Sequence, residues 1–313
     1  MQIICGRAHP ELGEAICRHA GQEMARADIT EFPDSETNIR ILDDVRGKNV
    51  FIIQPTVRNV NQSLMELLMM ADAARRASSK SVTAVTPYFG YARQDRKHEG
   101  RVPISAKLVA NLITTAGINR VVTVDLHSPQ IQGFFDIPVD HLFATPVMAQ
   151  YLNSIGLKAP VIMASDIGGM KMADRYAKKL GGDLAVIHKR RLSATETRAG
   201  PLIGEVRARD VIIADDVIST GGTMAEAAKV ARDFGARTVR AVATHGLFVG
   251  NAWETLSACG ITEVIVTDSS PLPPAGAGGP PEGFPLRVLS LAPLLAEAIS
   301  RIHKDRSLSL LFE

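Results

Sequence analysis

The sequence predicts an α/β protein of two domains, each a mainly parallel sheet flanked by helices. Three observations carry that expectation. Short β-branched and apolar runs alternate with segments of helical period along the chain. Some of these runs, Val211-Ile212-Ile213-Ala214 above all, are apolar at every position, as a parallel strand covered on both faces must be. The length, 313 residues, is that of about two ordinary domains.

Taken in order, strands are expected at residues 2–5, 49–53, 82–85, 121–124, 161–163, 184–187, 211–214, 239–243, 264–266 and 287–289. Ser63 with Glu66 reads as a capping box opening a helix through Leu64, Leu67, Leu68 and Ala71. Met65, Met69 and Met70 on that helix read as packing residues. Pro103 suits a first helical position ahead of Ile104, Leu108 and Leu112, with Gly117 as the stop. Thr223 with Glu226 reads as a second capping box, opening a helix of Ala227, Val230, Ala231 and Phe234 that stops at Gly235. The strand series divides near residues 145–150. The domains are therefore expected at 1–147 and 148–303, with the tail 304–313 packed on the first. Ser269 to Pro285, rich in Pro and Gly, excludes helix and central strand and is expected to be a mobile surface loop without chemistry.

Composition narrows the function classes. With 35 Lys+Arg against 33 Asp+Glu the chain is nearly neutral, which argues against a basic nucleic-acid arm. Cys5, Cys17 and Cys259 are too few and too scattered for a disulfide framework or a zinc or redox pair, so they read as small buried hydrophobes in a reducing compartment. No apolar run reaches about 18 residues and the N-terminus shows no signal-type block, so a cytoplasmic protein without membrane contact is expected.

Ligands of open α/β sheets bind beyond the carboxyl ends of the strands, and there the polar residues gather. Asp215-Asp216 leads into Ser219-Thr220-Gly221-Gly222-Thr223, where glycines let backbone N–H groups curl around an anion and hydroxyls add donors. A helix opening at this loop would point its positive end at the same anion. The two acids would repel a bare phosphate, so they address sugar hydroxyls or a metal-bound part of the ligand. Lys189-Arg190-Arg191 follows another strand and fits a ligand contact or a solvated basic loop equally well; in extended backbone Lys189 and Arg191 share a face, and Leu192 to Pro201 beyond them reads as a lid over a polyphosphate. Pro87 to Lys97 joins aromatics to cations, fitting a nucleotide contact or a packed turn equally well. Asp125-x-His127 and Asp166 fit a magnesium or phosphate site or ordinary satisfied polar groups.

These segments resemble the ribose-phosphate diphosphokinase (phosphoribosyl pyrophosphate synthetase) family. The likeness runs through Phe32 to Glu36, Asn61 to Leu68, Pro87 to Lys97, Val102 to Asn111, Asp125 to Ala144, Lys189 to Arg191, Asp215 to Thr223 and Thr244 to Gly246, and on through Leu295 to Ile299 and Ser307 to Phe312. The block Gln130 to Asp140 is especially specific. The resemblance implies two phosphoribosyltransferase-type domains, magnesium, ATP and ribose 5-phosphate as substrates, and a homo-oligomer, usually a hexamer of dimers. It implies transfer of diphosphate to the anomeric hydroxyl with release of AMP. Carried over by motif, Ser219, Thr220, Gly221, Gly222 and Thr223 would cradle the sugar phosphate while Asp215 and Asp216 hold ribose hydroxyls. Lys189 and Arg191 would be catalytic, His127 and Asp166 would serve magnesium, and Arg93, Gln94 and Asp95 would contact ATP. Phe32, Asp34, Ser35 and Glu36 would reach ATP from a neighbouring subunit.

Two departures alter the expectation. Position 219 is Ser where most members carry Asp, which removes a charge beside the sugar. Asp44 and Gly100 stand where regulated members often place serines for an allosteric phosphate or ADP, although Arg46, Ser307 and Ser309 remain, so weakened phosphate activation and ADP inhibition are expected. A nucleobase phosphoribosyltransferase would share the Asp-Asp to Thr-Gly-Gly-Thr loop but not the full-length likeness. A non-catalytic regulatory subunit would interrupt the catalytic loops, which are continuous here.

Overall fold

Each apolar run named above forms a strand in the computed structural model of this chain, which describes residues 1–191, 197–274 and 278–311. The chain divides into two units. Met1–Phe143, Ser269–Pro271 and the chain from Leu291 onward make the first; Ala144–Asp268 and Leu272–Ser290 make the second.

The first unit contains β1 (Gln2–Cys5), α1 (Pro10–Ala20), β2 (Ala27–Glu31), β3 (Thr37–Ile41), β4 (Asn49–Ile53), α2 (Val60–Arg76), β5 (Ser81–Thr86), α3 (Ser105–Thr115), β6 (Arg120–Val124) and β7 (Val139–Leu142). A five-stranded sheet runs β1-β4-β5-β6-β7, parallel throughout. Ile3, Ile4, Ile52, Ile53, Val121 and Val122 are wholly covered in it, as two-sided burial requires. β2 and β3 form a separate antiparallel hairpin with Glu31 opposite Thr37. Sequence reading misses this hairpin and β7, because Ala27-Asp28-Ile29-Thr30-Glu31 and Val139-Asp140-His141-Leu142 mix charge with apolar residues and are only partly buried.

The expected capping box at Ser63 does not form. α2 begins a turn earlier, at Val60, and Ser63 lies inside it with its hydroxyl donating to the carbonyls of Asn59 and Val60, both 3.2 Å away. Glu66 is 2% exposed and bonds to Arg7 and Gln54, so its carboxylate has no part in capping. α3 likewise begins at Ser105, two residues after Pro103.

The second unit contains α4 (Thr145–Ser154), β8 (Val161–Ala164), α5 (Met170–Leu180), β9 (Asp183–Arg191), β10 (Thr197–Ile203), β11 (Asp210–Ile218), α6 (Gly222–Asp233), β12 (Thr238–Gly246), α7 (Ala252–Ala258), β13 (Glu263–Thr267) and β14 (Leu286–Leu289). Its seven strands run β10-β9-β8-β11-β12-β13-β14, parallel except where β10 returns antiparallel to β9. Val211, Ile212 and Ile213 in β11 are fully buried, and each such side chain stabilises the fold by about 1.5–3 kcal/mol. That anchors the strand whose last four residues include the Asp-Asp pair.

α8 (Ala292–His303) corrects the expected boundary at 303. Its apolar face, with Leu295, Ala298 and Ile299 buried, packs on α1 of the first unit, and Asn49 on β4 bonds to His303 at its end. Of the expected tail, residues 312 and 313 lie outside the described residues. Ser269 and Ser270, at the start of the expected surface loop, are buried, and residues 275–277 of that loop are also outside the described residues. Among the described residues, no helix is long and apolar enough to cross a membrane.

Candidate active site

At the end of β11 the backbone passes from Asp215 and Asp216 through Ser219 and Thr220 into α6. Gly221 is the helix N-cap and is left-handed, with φ of 78°. A Cβ there would stand 3.0 Å from Cγ of Leu256 and 3.4 Å from the carbonyl of Ala252, so backbone conformation and space both select glycine. Gly221 supplies no side-chain cap, so the expected Thr223–Glu226 capping box is replaced by an uncapped first turn with Thr223 at its second residue. The orphan N–H groups of that turn, with the exposed Thr220 and Thr223, form a donor set suited to an anion.

Asp215 differs from Asp216 in its surroundings. One of its oxygens accepts from the Ser165 hydroxyl at 2.9 Å, and the other accepts from the Asp216 N–H at 2.9 Å. Burial, and then the neighbouring Asp216 charge, push its carboxyl up to about 7, against the lowering effect of the Ser165 bond. Ser165, buried at the end of β8, is a partner that sequence reading misses, although its place beside Asp166 at a strand end was the available signal. Asp166 is exposed and caps a short 3₁₀ turn over Ile167–Gly169, accepting from Gly169 N at 3.0 Å.

Lys189 and Arg191 lie on β9, opposite Ala199 and Thr197 of β10. The expected lid from Leu192 to Pro201 is therefore, from Thr197 on, the second strand of a β-arm rather than irregular chain. Hydrogen bonding to β9 supplies the order that residue periodicity did not reveal. Residues 192–196, and the side chains of Lys189 and Arg191, lie outside what the structure describes.

In the first unit, Phe32, Asp34, Ser35 and Glu36 occupy the exposed turn between β2 and β3. Phe32 N–H donates to the Glu36 carbonyl at 2.8 Å and Ser35 N–H to the Phe32 carbonyl at 2.9 Å, with Ser35 left-handed. The hairpin is tethered below this turn. Arg7 bonds to Glu31 at 3.0 Å and to Glu66 at 2.9 Å, Gln62 donates to Glu31, and Glu66 also accepts from Gln54 at 3.0 Å. This network is long-range and left no local signal. Arg93 and Gln94 follow β5 and line a cavity of about 570 Å³ with Arg58, Asn61 and Tyr91, whose hydroxyl donates to Asn61. Gln94 is fixed by its N–H to the Tyr91 carbonyl at 3.0 Å and by the Ser105 hydroxyl; Asp95 is half-buried beside it.

After β6, Asp125 is buried with φ of 37°, while His127 is exposed. Among the described residues no three His, Cys, Asp or Glu side chains cluster as a metal cage. Asp44 accepts from Arg46 N–H at 3.0 Å, and the hydroxyls of Ser307 and Ser309 bond to each other at 2.8 Å; all four residues are exposed.

Comparison with known proteins identifies the family and the fold. Residues 1–117 match the N-terminal domain of ribose phosphate pyrophosphokinase, and residues 194–313 match the phosphoribosyl synthetase-associated domain. The chain is 47% identical to a ribose-phosphate pyrophosphokinase of Helicobacter pylori, covering 99% of this chain and 96% of that one. It is 48% identical to that of Rhodopirellula baltica, covering 100% and 98%. The crystal structure of a phosphoribosylpyrophosphate synthetase from Mycobacterium smegmatis superposes with a TM-score of 0.90 at 40% identity, covering 97% of this chain and 99% of that one.

Proposed function

This chain belongs to the ribose-phosphate pyrophosphokinase family and is an enzyme of that type, and we propose that it divides the work between two sets of strand ends. The anomeric hydroxyl oxygen of ribose 5-phosphate attacks the β-phosphorus of ATP. The bond from that phosphorus to the α–β bridging oxygen breaks, AMP leaves with that oxygen, and the hydroxyl proton is lost to water. The product is 5-phosphoribosyl 1-diphosphate. Little covalent help is needed for such a transfer; alignment and charge neutralisation do most of it.

Ser219 to Thr223 hold the 5-phosphate, supported by the uncapped first turn of α6 and the exposed hydroxyls. Asp216 and Asp215 take ribose hydroxyls; with both its oxygens already engaged, Asp215 acts through a fixed geometry. Lys189 and Arg191, two residues apart on β9, offset the charge that grows on the bridging oxygen as AMP departs. Arg93, Gln94 and Asp95 receive ATP, which the cavity at Arg93 and Gln94 supports. Phe32, Asp34, Ser35 and Glu36 reach the ATP of a neighbouring subunit, so the active form is a homo-oligomer, a hexamer in our reading. The exposed, tethered hairpin turn supports that role.

Magnesium bound with ATP fits this donor set. His127 and Asp166 are exposed just beyond β6 and β8, where carboxylate and imidazole donors can reach an ion carried by phosphate. His127 and Asp166 would hold it, and it would neutralise charge on the transferring phosphate oxygens. Free thiols at Cys5, Cys17 and Cys259 support a cytoplasmic setting. Asp44, exposed beside Arg46, supports weak control by phosphate and ADP. Rate assays showing strong phosphate activation together with strong ADP inhibition would overturn that part.

The observation that carries the reading is the donor-lined turn after the Asp-Asp pair within a chain alike to these relatives end to end. Incubation with ATP, magnesium and ribose 5-phosphate, followed by phosphorus NMR, should yield AMP and a sugar 1-diphosphate in equal amounts. ADP as the nucleotide product would contradict it.

A further inference from the structure

Three backbone bonds tie the sugar-phosphate turn to the segment after β12. Leu247 N–H and Phe248 N–H donate to the Ile218 carbonyl at 2.9 and 3.3 Å, and Val249 N–H donates to the Ser219 carbonyl at 3.0 Å. Phe248 adopts a left-handed backbone, with φ of 46°, which is disfavoured for a residue with a Cβ and persists only when its surroundings impose it. From the other side α7 packs on the same turn, and a Cβ at Gly221 would come within 3.0 Å of Leu256 Cγ and 3.4 Å of the Ala252 carbonyl.

Both supports meet at one side chain. Trp253 of α7 is 5% exposed and stacks on Phe248, with ring centroids 4.0 Å apart and planes 20° apart. Phe284 meets its ring edge-on, at 5.2 Å and 75°. The indole N–H donates to the Gly278 carbonyl at 2.8 Å. Phe284 and Gly278 belong to the Pro- and Gly-rich segment to which the sequence assigns no chemistry.

We propose that Trp253 is a positioning residue for ribose 5-phosphate: it clamps Phe248 and α7 against the Ser219–Thr223 turn, and Gly278 and Phe284 fix its indole. The role rests on that turn being the sugar-phosphate pocket. Trp253 touches no substrate; it sets the backbone N–H groups that do. Stacking alone would orient the ring plane, whereas the N–H bond to Gly278 fixes rotation within that plane, so ring shape and indole N–H contribute separately.

Trp253 is also the single tryptophan of the chain, so its emission reports the clamp directly. Adding ribose 5-phosphate to the intact protein should change that emission, saturating with the binding curve measured by calorimetry. Trp253→Phe keeps an aromatic ring but leaves the Gly278 carbonyl without its donor. It should raise KM for ribose 5-phosphate roughly three- to tenfold, in line with one lost buried bond, with kcat and KM for ATP within about twofold. Trp253→Ala should raise the same KM further; if it does not fold, the Phe variant decides. An unchanged KM for ribose 5-phosphate in Trp253→Phe, or a parallel rise for both substrates with a fall in Tm, overturns the proposal. Thr220→Val and Thr223→Val separate the two levels. If they leave ribose 5-phosphate binding intact, the turn is not the pocket and the clamp falls with it. If they abolish binding while the Trp253 emission ignores the sugar phosphate in the parent protein, the clamp alone is wrong.

Discussion

In the proposed site Asp215 holds ribose hydroxyls, yet burial and the charge of Asp216 raise its carboxyl from near 4 to about 7. The folded state therefore binds a proton more firmly than the unfolded chain. That contribution to stability is complete below about pH 4 and is lost as pH rises through about 7. Above that pH the fold carries an ionised, half-buried acid beside a second one. Asp215→Asn removes this charge and should raise Tm at pH 8 by roughly 2–4 °C over the parent protein, with the gap closing by about pH 5, while ribose 5-phosphate binding is lost. Thermal scans at both pH values check it; an Asn variant less stable than the parent at pH 8 would contradict the electrostatic account. The acid pair itself was legible, because two carboxylates before Thr-Gly-Gly-Thr is a dense local pattern. What distinguishes the two acids was not. The Ser165 hydroxyl that fixes Asp215 comes from a strand 50 residues away in sequence, and no local spacing encodes that pairing.

At the scale of elements, buried strands were legible and half-wet ones were not. β4 and β11 are nearly continuous apolar runs, whereas β2, β3 and β10 are held by pairing partners that a single segment does not reveal. Helix starts failed for a related reason: Ser63 and Glu66 have capping-box spacing, but tertiary partners claim Glu66 first. The Glu66 carboxylate ties the segments just after β1 and β4 to α2 and, through Arg7, anchors the β2–β3 hairpin at Glu31, the residue before Phe32. Glu66→Ala leaves the Arg7 backbone N–H and guanidinium without their buried acceptor. It should cost about 2–4 kcal/mol in urea unfolding, near the lower end for a broken buried pair because Arg7 is partly exposed. Loosening the hairpin should also raise KM for ATP more than KM for ribose 5-phosphate. A variant that unfolds at the parent midpoint would mean the network is not a tether.

At the scale of the whole molecule, the proposed reach of the β2–β3 hairpin into a neighbouring subunit's ATP site would make assembly part of the activity. A variant with Phe32→Ala and Glu36→Ala, and a second with Lys189→Ala, should each be nearly inactive. Dissociated, mixed and reassembled, they should regain activity, because some sites then combine an intact hairpin with an intact β9 lysine. No recovery in a verified mixed oligomer would place the hairpin in its own subunit's site. End-to-end likeness made the reaction legible from sequence, whereas the return of α8 to the first unit depends on which apolar face it meets and was not. The central claim is that the cations of β9 stabilise the diphosphate in transit. Steady-state and single-turnover kinetics of Lys189→Ala test it most directly. The account predicts that kcat falls by about 10²–10³-fold, with KM for both substrates within about threefold. A kcat within twofold of the parent protein, or a loss confined to KM, would contradict it.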